Sequence, residues 1–355
     1  MLNIPSSAKR PLLRALVTAV PANVLEQRDV AVAAEALFSG RMGNFKRLKP
    51  VFDNAGIARR YAACPADWYT RPNDWQTRND AYVRVSCQLF AEAAGKALAE
   101  AGLTAAEIDT IVTVSSTGIA TPTIEARQVH GLGFRDTVRR VPVFGLGCAG
   151  GATGVSLAAR LAAAEPGSNV LVVVIELCTL AFQYQETSKS NVVASALFGD
   201  GAAAAIVSTA HGDALAEFEH TGEHTWPETL DIMGWRVDGN GLGVIFDRSI
   251  PAFVKQQMHA ATLGFLENHD LSLGDIDGLA FHPGGAKVLD ALEEVFALDQ
   301  GVLNTERGVL HDYGNMSAPT VMFVLLRALQ VRQGGRHLVS ALGPGFTASY
   351  ATLIN

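Results

Sequence analysis

The sequence predicts a duplicated α/β fold in which two halves, residues 1–215 and 216–355, are related by a pseudo-twofold axis. Three observations predict it. Helical and strand-like segments alternate along the chain without a low-complexity linker. The composition is 48% hydrophobic but only 7% aromatic, which suits small residues packed between helices and sheets. The third is a weak internal repeat. Segment 94–117 (AGKALAEAGLTAAEIDTIVTVSST) reads as helix, turn and short apolar strand, and 262–285 (TLGFLENHDLSLGDIDGLAFHPGG) has the same order, with Ile108-Asp109 answering Ile276-Asp277. Further on, Gly147-Cys148-Ala149 and Gly314-Asn315-Met316 each open an apolar helix followed by a strand, at 169–175 and 337–342. The repeat is too long for a solenoid unit and fits a doubled domain. In such a fold Cys148 and Asn315 occupy equivalent helix starts, and His282 falls where the first half has Val114-Ser115, at a strand end.

Composition narrows the function classes. A net charge of −7 gives no electrostatic footprint for nucleic acid. The four cysteines, Cys64, Cys87, Cys148 and Cys178, lack CxxC spacing, so neither a disulfide framework nor a metal site is expected. Met1 to Leu16 carries Lys9 and Arg10 but no apolar core with a cleavage signal. The longest apolar runs, Val170–Ile175 and Ala202–Val207, are too short to cross a bilayer and read as buried strands. The expectation is a cytoplasmic protein with no membrane partner.

Three residues could carry chemistry. Cys148 lies in VPVFGLGCAGGATG, where an apolar strand enters a glycine-rich turn ahead of a helix. Unpaired amides at a helix start favour an anion and would promote the thiolate, the nucleophilic form. His282, in GLAFHPGGAKVLDAL, ends an apolar strand, where α/β proteins place ligands. Asn315, in HDYGNMSAPTVMFVLLRAL, precedes a strongly apolar helix and has an ordinary alternative as its N-cap. Taken together the three suit thioester chemistry: a cysteine attacks, and an imidazole with a carboxamide holds a developing enolate or oxyanion. Gly145, Gly147 and Gly150 also match a dinucleotide fingerprint, with Glu176 ending the next strand, but the match lies mid-chain rather than opening a βαβ unit.

These motifs resemble those of the thiolase-fold condensing enzymes, and most closely the type III polyketide synthases of the chalcone synthase family. The resemblance rests on 147–151 (GCAGG), 196–201 (ALFGDG), 282–285 (HPGG), 313–317 (YGNMS) and 343–346 (GPGF), in that order and at wide spacing. A ketoacyl synthase III would show His-Gln-Ala-Asn in place of His282–Gly285. The resemblance implies a thiolase-like layered fold and a homodimer. It also implies that Cys148 holds the acyl chain, that His282 and Asn315 assist malonyl decarboxylation, and that Phe198 is the gatekeeper between CoA tunnel and cavity. Ser116, Thr117, Thr121, Cys178 and Ala181 align with cavity-lining stretches, Thr121 where plant members carry a methionine across the dimer interface. Small Ala181 is expected to leave a tunnel open, and 233–248 is expected to be a loop forming another wall. Lys46, Arg47 and Lys49 fall where the family binds CoA phosphates.

The implied reaction is iterative condensation of malonyl-CoA onto an acyl-CoA starter, with an aliphatic starter favoured by the likeness of SSTGIATPT to bacterial alkylpyrone and alkylresorcinol synthases. Cyclisation to a pyrone, resorcinol or phloroglucinol-type ring follows. No metal or organic cofactor is implied, CoA entering only with the substrates. Alternatives are a single-round ketoacyl synthase, a catalytically silent acyl-CoA-binding homologue and a nucleotide-dependent oxidoreductase.

Overall fold

Apolar residues on alternate positions of single strands set the layering. In a computed structural model that describes residues 10–355, Val170, Val172 and Val174 face one hydrophobic cluster and Leu171, Val173 and Ile175 face another. The part of the leader reading that falls on 1–9 lies outside the described residues. The N-terminal elements are β1 (Leu12–Ala19), β2 (Asn23–Glu26), α1 (Gln27–Phe38), α2 (Phe45–Leu48), α3 (Pro50–Asp53), β3 (Arg59–Ala62), α4 (Trp75–Ala101), β4 (Thr110–Val114), β5 (Arg139–Val143), α5 (Gly150–Ala164), β6 (Asn169–Leu177), α6 (Lys189–Leu197) and β7 (Asp200–Ser208). There follow β8 (Ala216–Thr225), β9 (Met233–Asp238), β10 (Gly241–Phe246), α7 (Ile250–Glu267), β11 (Gly278–Phe281), α8 (Ala286–Val295), α9 (Asn304–Tyr313), α10 (Ala318–Val331), β12 (Arg336–Gly343) and β13 (Thr347–Ile354).

The main sheet runs β11-β12-β13-β8-β1-β7-β6-β4-β5. At its middle, β8 and β1 pair only through Leu12↔Glu217 and Leu13↔Ala216, so two half-sheets meet at a short seam. Their strand orders match: β4-β6-β7-β1 on one side, β11-β12-β13-β8 on the other. Register matches too, with Ile111 opposite Leu171 in one parallel pair and Leu279 opposite Leu338 in the other. The turn before β4 and the turn before β11 repeat the same device. Thr104 with Glu107, and Ser272 with Asp275, form capping boxes, then Asp109 accepts from Asn169 N–H and Asp277 from Arg336 N–H.

Helices α5 and α10 lie between the half-sheets, sharing a core with β4, β6 and β7 below and β12 and β13 above. Helix α4 covers the far face of the first half-sheet, and α7 with α8 covers the far face of the second. Because helices cover both faces, β6 and β7 are buried almost throughout and read as continuous apolar runs. Helix α4 starts where Asp74 accepts from Thr77 N–H and stops at Gly102, which takes the left-handed conformation at φ 65°. Among the described residues, no helix is long and apolar enough to cross a membrane.

Candidate active site

The crossing of α5 and α10 decides where the cysteine sits. A Cβ on Gly151 would lie 2.2 Å from the Ala318 carbonyl oxygen, and one on Gly150 2.7 Å from Val114 Cγ1. Glycine therefore lets the first turn of α5 press onto β4 and onto the start of α10. On the other side, Gly147 (φ 46°) has its Cβ position 2.6 Å from Pro344 Cδ. The Gly147 and Gly150 faces are thus filled by protein, whereas a Cβ on Gly145 would meet nothing within 4 Å, so two of the three fingerprint-like glycines serve packing rather than a pyrophosphate cradle. A short 3₁₀ turn, Gly147–Ala149, carries Cys148 into α5.

Across the crossing, Asn315 precedes α10 but does not cap it. Ser317, at φ 57°, takes the cap position, and Asn315 Oδ1 accepts from Ser317 N–H at 2.8 Å. The Asn315 Nδ2 group donates to the Gly284 carbonyl at 3.1 Å. A Cβ on Gly284 would lie 3.9 Å from His282 Nε2, so that carbonyl sits beside the imidazole. The His282 N–H donates to Ser340 O at 2.8 Å, which fixes the residue to β12 just beyond the end of β11. The side chains of Ser317 and Asn315 hydrogen-bond the Cys148 thiol. Cys148, at a helix start, thus meets Asn315 in a pre-helix turn, and Asn315 reaches in turn to the Gly284 carbonyl beside His282 at a strand end.

Burial governs the charges there. It pushes the Cys148 thiol up to about 11, and Glu176 adds to the rise, while hydrogen bonds from Ser317, the backbone and Asn315 pull it down. The helix start, read from the sequence as promoting the thiolate, is outweighed by desolvation. Burial lowers His282 to about 4, so the imidazole is neutral at pH 7. Both its ring nitrogens lack a hydrogen-bond partner among the described residues, leaving two groups free to engage a ligand. Glu176, fully buried, is raised to about 8 by desolvation and is mostly protonated at neutral pH.

A small cavity of about 40 Å³ surrounds Cys148, with Ser116, Glu176, Cys178, Phe198 and Ser317 on its wall. The segment read as a loop at 233–248 closes it as the β9–β10 hairpin, which contributes Met233, Trp235, Val244 and Phe246. A second cavity of about 700 Å³ lies under α1, and Cys178 and Phe198 line both. Ser116 holds this region together: its N–H donates to Glu176 and its Oγ accepts from Gly145 N–H. The Thr117 hydroxyl accepts from Leu177 N–H, on the strand that leads to Cys178.

Other sequence-derived positions lie elsewhere. Ala181 is buried in the turn after β6 and lines neither cavity; Thr179 and Phe182 take the wall instead, because the 3₁₀ turn Cys178–Ala181 reverses the chain there. Thr121 is exposed, joined to Pro122 by a cis peptide, and stands outside both cavities. Lys46 and Arg47 are exposed on α2, whereas Lys49 is paired with Glu35 at 2.7 Å. Glu176 and Ser317 were not assigned to the site from sequence. Ser317 has a signal in hindsight, since it stands in the same YGNMS run as Asn315.

Comparison with known proteins identifies the family. The chalcone and stilbene synthase N-terminal domain model matches residues 5–211, and the C-terminal domain model matches residues 217–352. The chain is 35% identical over 346 residues to a 1,3,6,8-tetrahydroxynaphthalene synthase of Streptomyces peucetius subsp. caesius, covering 96% of this chain and 92% of that one. It is 30% identical to the enzyme of the same description from Streptomyces coelicolor, covering 84% and 80%. The crystal structure of the tetrahydroxynaphthalene synthase from Streptomyces coelicolor A3(2), a bacterial type III polyketide synthase, superposes with a TM-score of 0.92 at 27% identity, covering 97% of this chain and 99% of that one. The chain belongs to the chalcone and stilbene synthase family: it is a type III polyketide synthase with the thiolase-like fold, a decarboxylative condensing acyltransferase.

Proposed function

We propose that this synthase extends an aliphatic acyl-CoA starter with several malonyl-CoA units on Cys148 and releases a cyclised pyrone, resorcinol or phloroglucinol-type product. The observation that carries the aliphatic reading is the cavity of about 700 Å³, whose wall includes Val30, Ala33, Ala34, Leu37, Phe38 and Phe182, adjoining the small cavity of Cys148. The cavity beside the thiol, about 40 Å³, has no room for a long chain, so an alkyl tail would pass between Cys178 and Phe198.

In this reading Cys148 Sγ attacks the starter thioester as its proton passes to His282, and CoA leaves. Malonyl-CoA then loses carbon dioxide while the imidazole of His282 and the carboxamide of Asn315 hold the enolate oxygen. The enolate carbon attacks the acyl-Cys148 carbonyl, and the lengthened chain returns from CoA to the sulfur. Neutral Glu176 spares the forming thiolate a nearby negative charge. Phe198 stands at the junction of the cavities as gatekeeper, with Ser116 and Cys178 on the wall of the initiation space, while Thr117, which lines neither cavity, anchors the strand behind them. CoA thioesters are the only substrates, with no further cofactor, and Lys46 and Arg47 are the exposed cations for the CoA phosphates. We further propose that each chain divides into two halves between residues 215 and 216, and that the protein is a cytoplasmic homodimer in which exposed Thr121 reaches the partner's site.

An acyl-CoA length series with malonyl-CoA tests the starter class. Each methylene that reaches the cavity wall contributes about 0.8 kcal/mol, or roughly fourfold in kcat/KM, until the space is full. Ala34→Trp, on the far wall, would shorten the preferred chain and leave short starters unaffected. A flat length profile in the wild-type enzyme would refute the aliphatic reading. Product mass separates this function from its rivals: several added C2 units here, one for a ketoacyl synthase, none for a silent homologue.

A further inference from the structure

Arg60, on β3, is 1% exposed and remains cationic, because burial lowers its guanidinium only to about 10 while Asp200 supports the charge. Its Nη1 donates to two carbonyls, Ser195 O and Phe198 O, both at 2.8 Å. These belong to the end of α6 and the residue after it, where helix carbonyls lack intrahelical partners. The neighbouring carbonyls are used differently: Ala194 O accepts from Phe198 N–H, and Leu197 O accepts from Asn315 N–H at 2.9 Å. Gly199 N–H then donates back to Asn315 O at 3.0 Å, so Phe198 and Asn315 form a parallel β-bridge.

The Arg60 stem runs beneath this bridge. A Cβ on Gly314 (φ 69°) would lie 2.7 Å from Arg60 Cγ, and one on Gly199 would lie 3.4 Å from Arg60 Cβ. The two glycines therefore let one buried side chain pass under both strands of the bridge. From the outer side, β3 is tied to α9 by Ala58 N–H donating to His311 O at 2.9 Å and by stacked Tyr61 and Tyr313 rings 5.6 Å apart. Among the described residues Arg60 donates to the Ser195 and Phe198 carbonyls rather than to the Cys148 turn, and what reaches the thiol from the bridge is the Asn315 carboxamide and the Phe198 ring.

We infer that Arg60 is a positioning residue: by tying down the carbonyls of Ser195 and Phe198 it fixes the bridge that aims Asn315 at the reacting carbonyl and sets the Phe198 ring between the cavities. The inference rests on the roles proposed above for Cys148 and Asn315. It predicts an asymmetric defect, because loading rests chiefly on Cys148 and His282, with Asn315 only one of several hydrogen bonds to the thiol, whereas holding the enolate needs the Asn315 carboxamide directly.

The test compares Arg60→Gln and Arg60→Lys with wild type, all checked for native circular dichroism and melting temperature. Two readouts are taken from each: starter attached to Cys148 by intact-protein mass, and carbon dioxide released from malonyl-CoA. Misplacement of a positioned group by about 1 Å costs on the order of 10²-fold, so in Arg60→Gln carbon dioxide release should fall by about that factor while loading stays within about twofold. Lysine, which can still donate to both carbonyls, should restore an intermediate rate; where the glutamine variant does not fold, the lysine variant carries the comparison alone. Unchanged carbon dioxide release, or loss of both readouts in proportion to lost folded protein, would overturn the inference. Failure of the underlying roles is seen separately, since wild-type protein would then neither load Cys148 nor release carbon dioxide.

Discussion

The half-sheet β4-β6-β7-β1 and the half-sheet β11-β12-β13-β8 share strand order, register and the capping turn before β4 and before β11. They differ in what stands at the ends. The first ends β4 on Val114, packed against the Gly150 and Gly154 positions of α5, and opens its central helix with Cys148. The second follows β11 with His282, whose ring nitrogens lack partners among the described residues, and precedes its central helix with Asn315. A doubled scaffold delivers two equivalent corners towards one cleft, and the proposed mechanism uses the asymmetry between their side chains. The glycines at the α5–α10 crossing are what bring the corners close enough to cooperate.

That comparison can be broken most sharply by exchanging the corners' chemistry. His282→Val, which gives the second half the residue of the first, should lower product formation by about 10²–10⁴-fold, the range for a lost general base or oxyanion donor. Val114→Ala, at the equivalent place, should cost about 2 kcal/mol of stability and leave kcat nearly unchanged. Steady-state kinetics and urea unfolding separate the two effects. A large kcat loss in Val114→Ala, without loss of fold, would show that the first corner takes part in the chemistry.

The crossing itself is sharpened by a glycine pair. Gly151→Ala drives a methyl into the Ala318 carbonyl and should destabilise by about 1–3 kcal/mol, with a lower melting temperature. Gly95→Ala, on α4 with nothing within 4 Å of the added carbon, should instead stabilise by about 0.5–1 kcal/mol.

A smaller effect concerns the strand end beneath His282. Glu306 on α9 accepts from Phe281 N–H, and burial raises its carboxyl to about 7. The folded state thus holds this proton more tightly than the unfolded chain. Its contribution to stability is fully present below pH 4 and declines as pH rises towards 7. Glu306→Gln, which cannot ionise, should therefore gain on wild type between pH 5 and pH 8, by on the order of 1–2 kcal/mol in denaturant melts. A constant difference across that range would mean that Glu306 titrates normally in the fold.

Much of the architecture was legible before any coordinates. The repeat of Ile108-Asp109 at Ile276-Asp277 has a physical cause, because each aspartate accepts from the first amide of the adjoining strand. The expectation that Cys148, His282 and Asn315 share one site followed from that repeat, and the structure links Asn315 to the Cys148 thiol and to the Gly284 carbonyl. Other features were not legible, for identifiable reasons. The protonation state of Cys148 depends on burial by residues distant in sequence, and desolvation there exceeds the helix-start effect. The 233–248 segment carries Gly234, Gly239, Gly241 and Gly243, which read as loop, yet cross-strand pairing such as Leu242↔Val237 makes it a hairpin. Ala181 was placed on the cavity wall from its alignment, but the four-residue turn Cys178–Ala181 decides that Phe182 rather than Ala181 faces the space. Arg60 had no sequence signal beyond a basic pair at Arg59-Arg60; only the buried path of its side chain marks it out.

The central claim, that one buried sulfur served by His282 and Asn315 carries the growing chain, is tested most directly by intact-protein and peptide mass spectrometry after mixing the enzyme with a fatty acyl-CoA and then malonyl-CoA. The account predicts the starter mass on the peptide containing Cys148, its increase by C2 units on malonyl-CoA addition, and loss of both adduct and product in Cys148→Ala. An adduct on Cys64, Cys87 or Cys178 that supports turnover, or full product formation by Cys148→Ala, would contradict it.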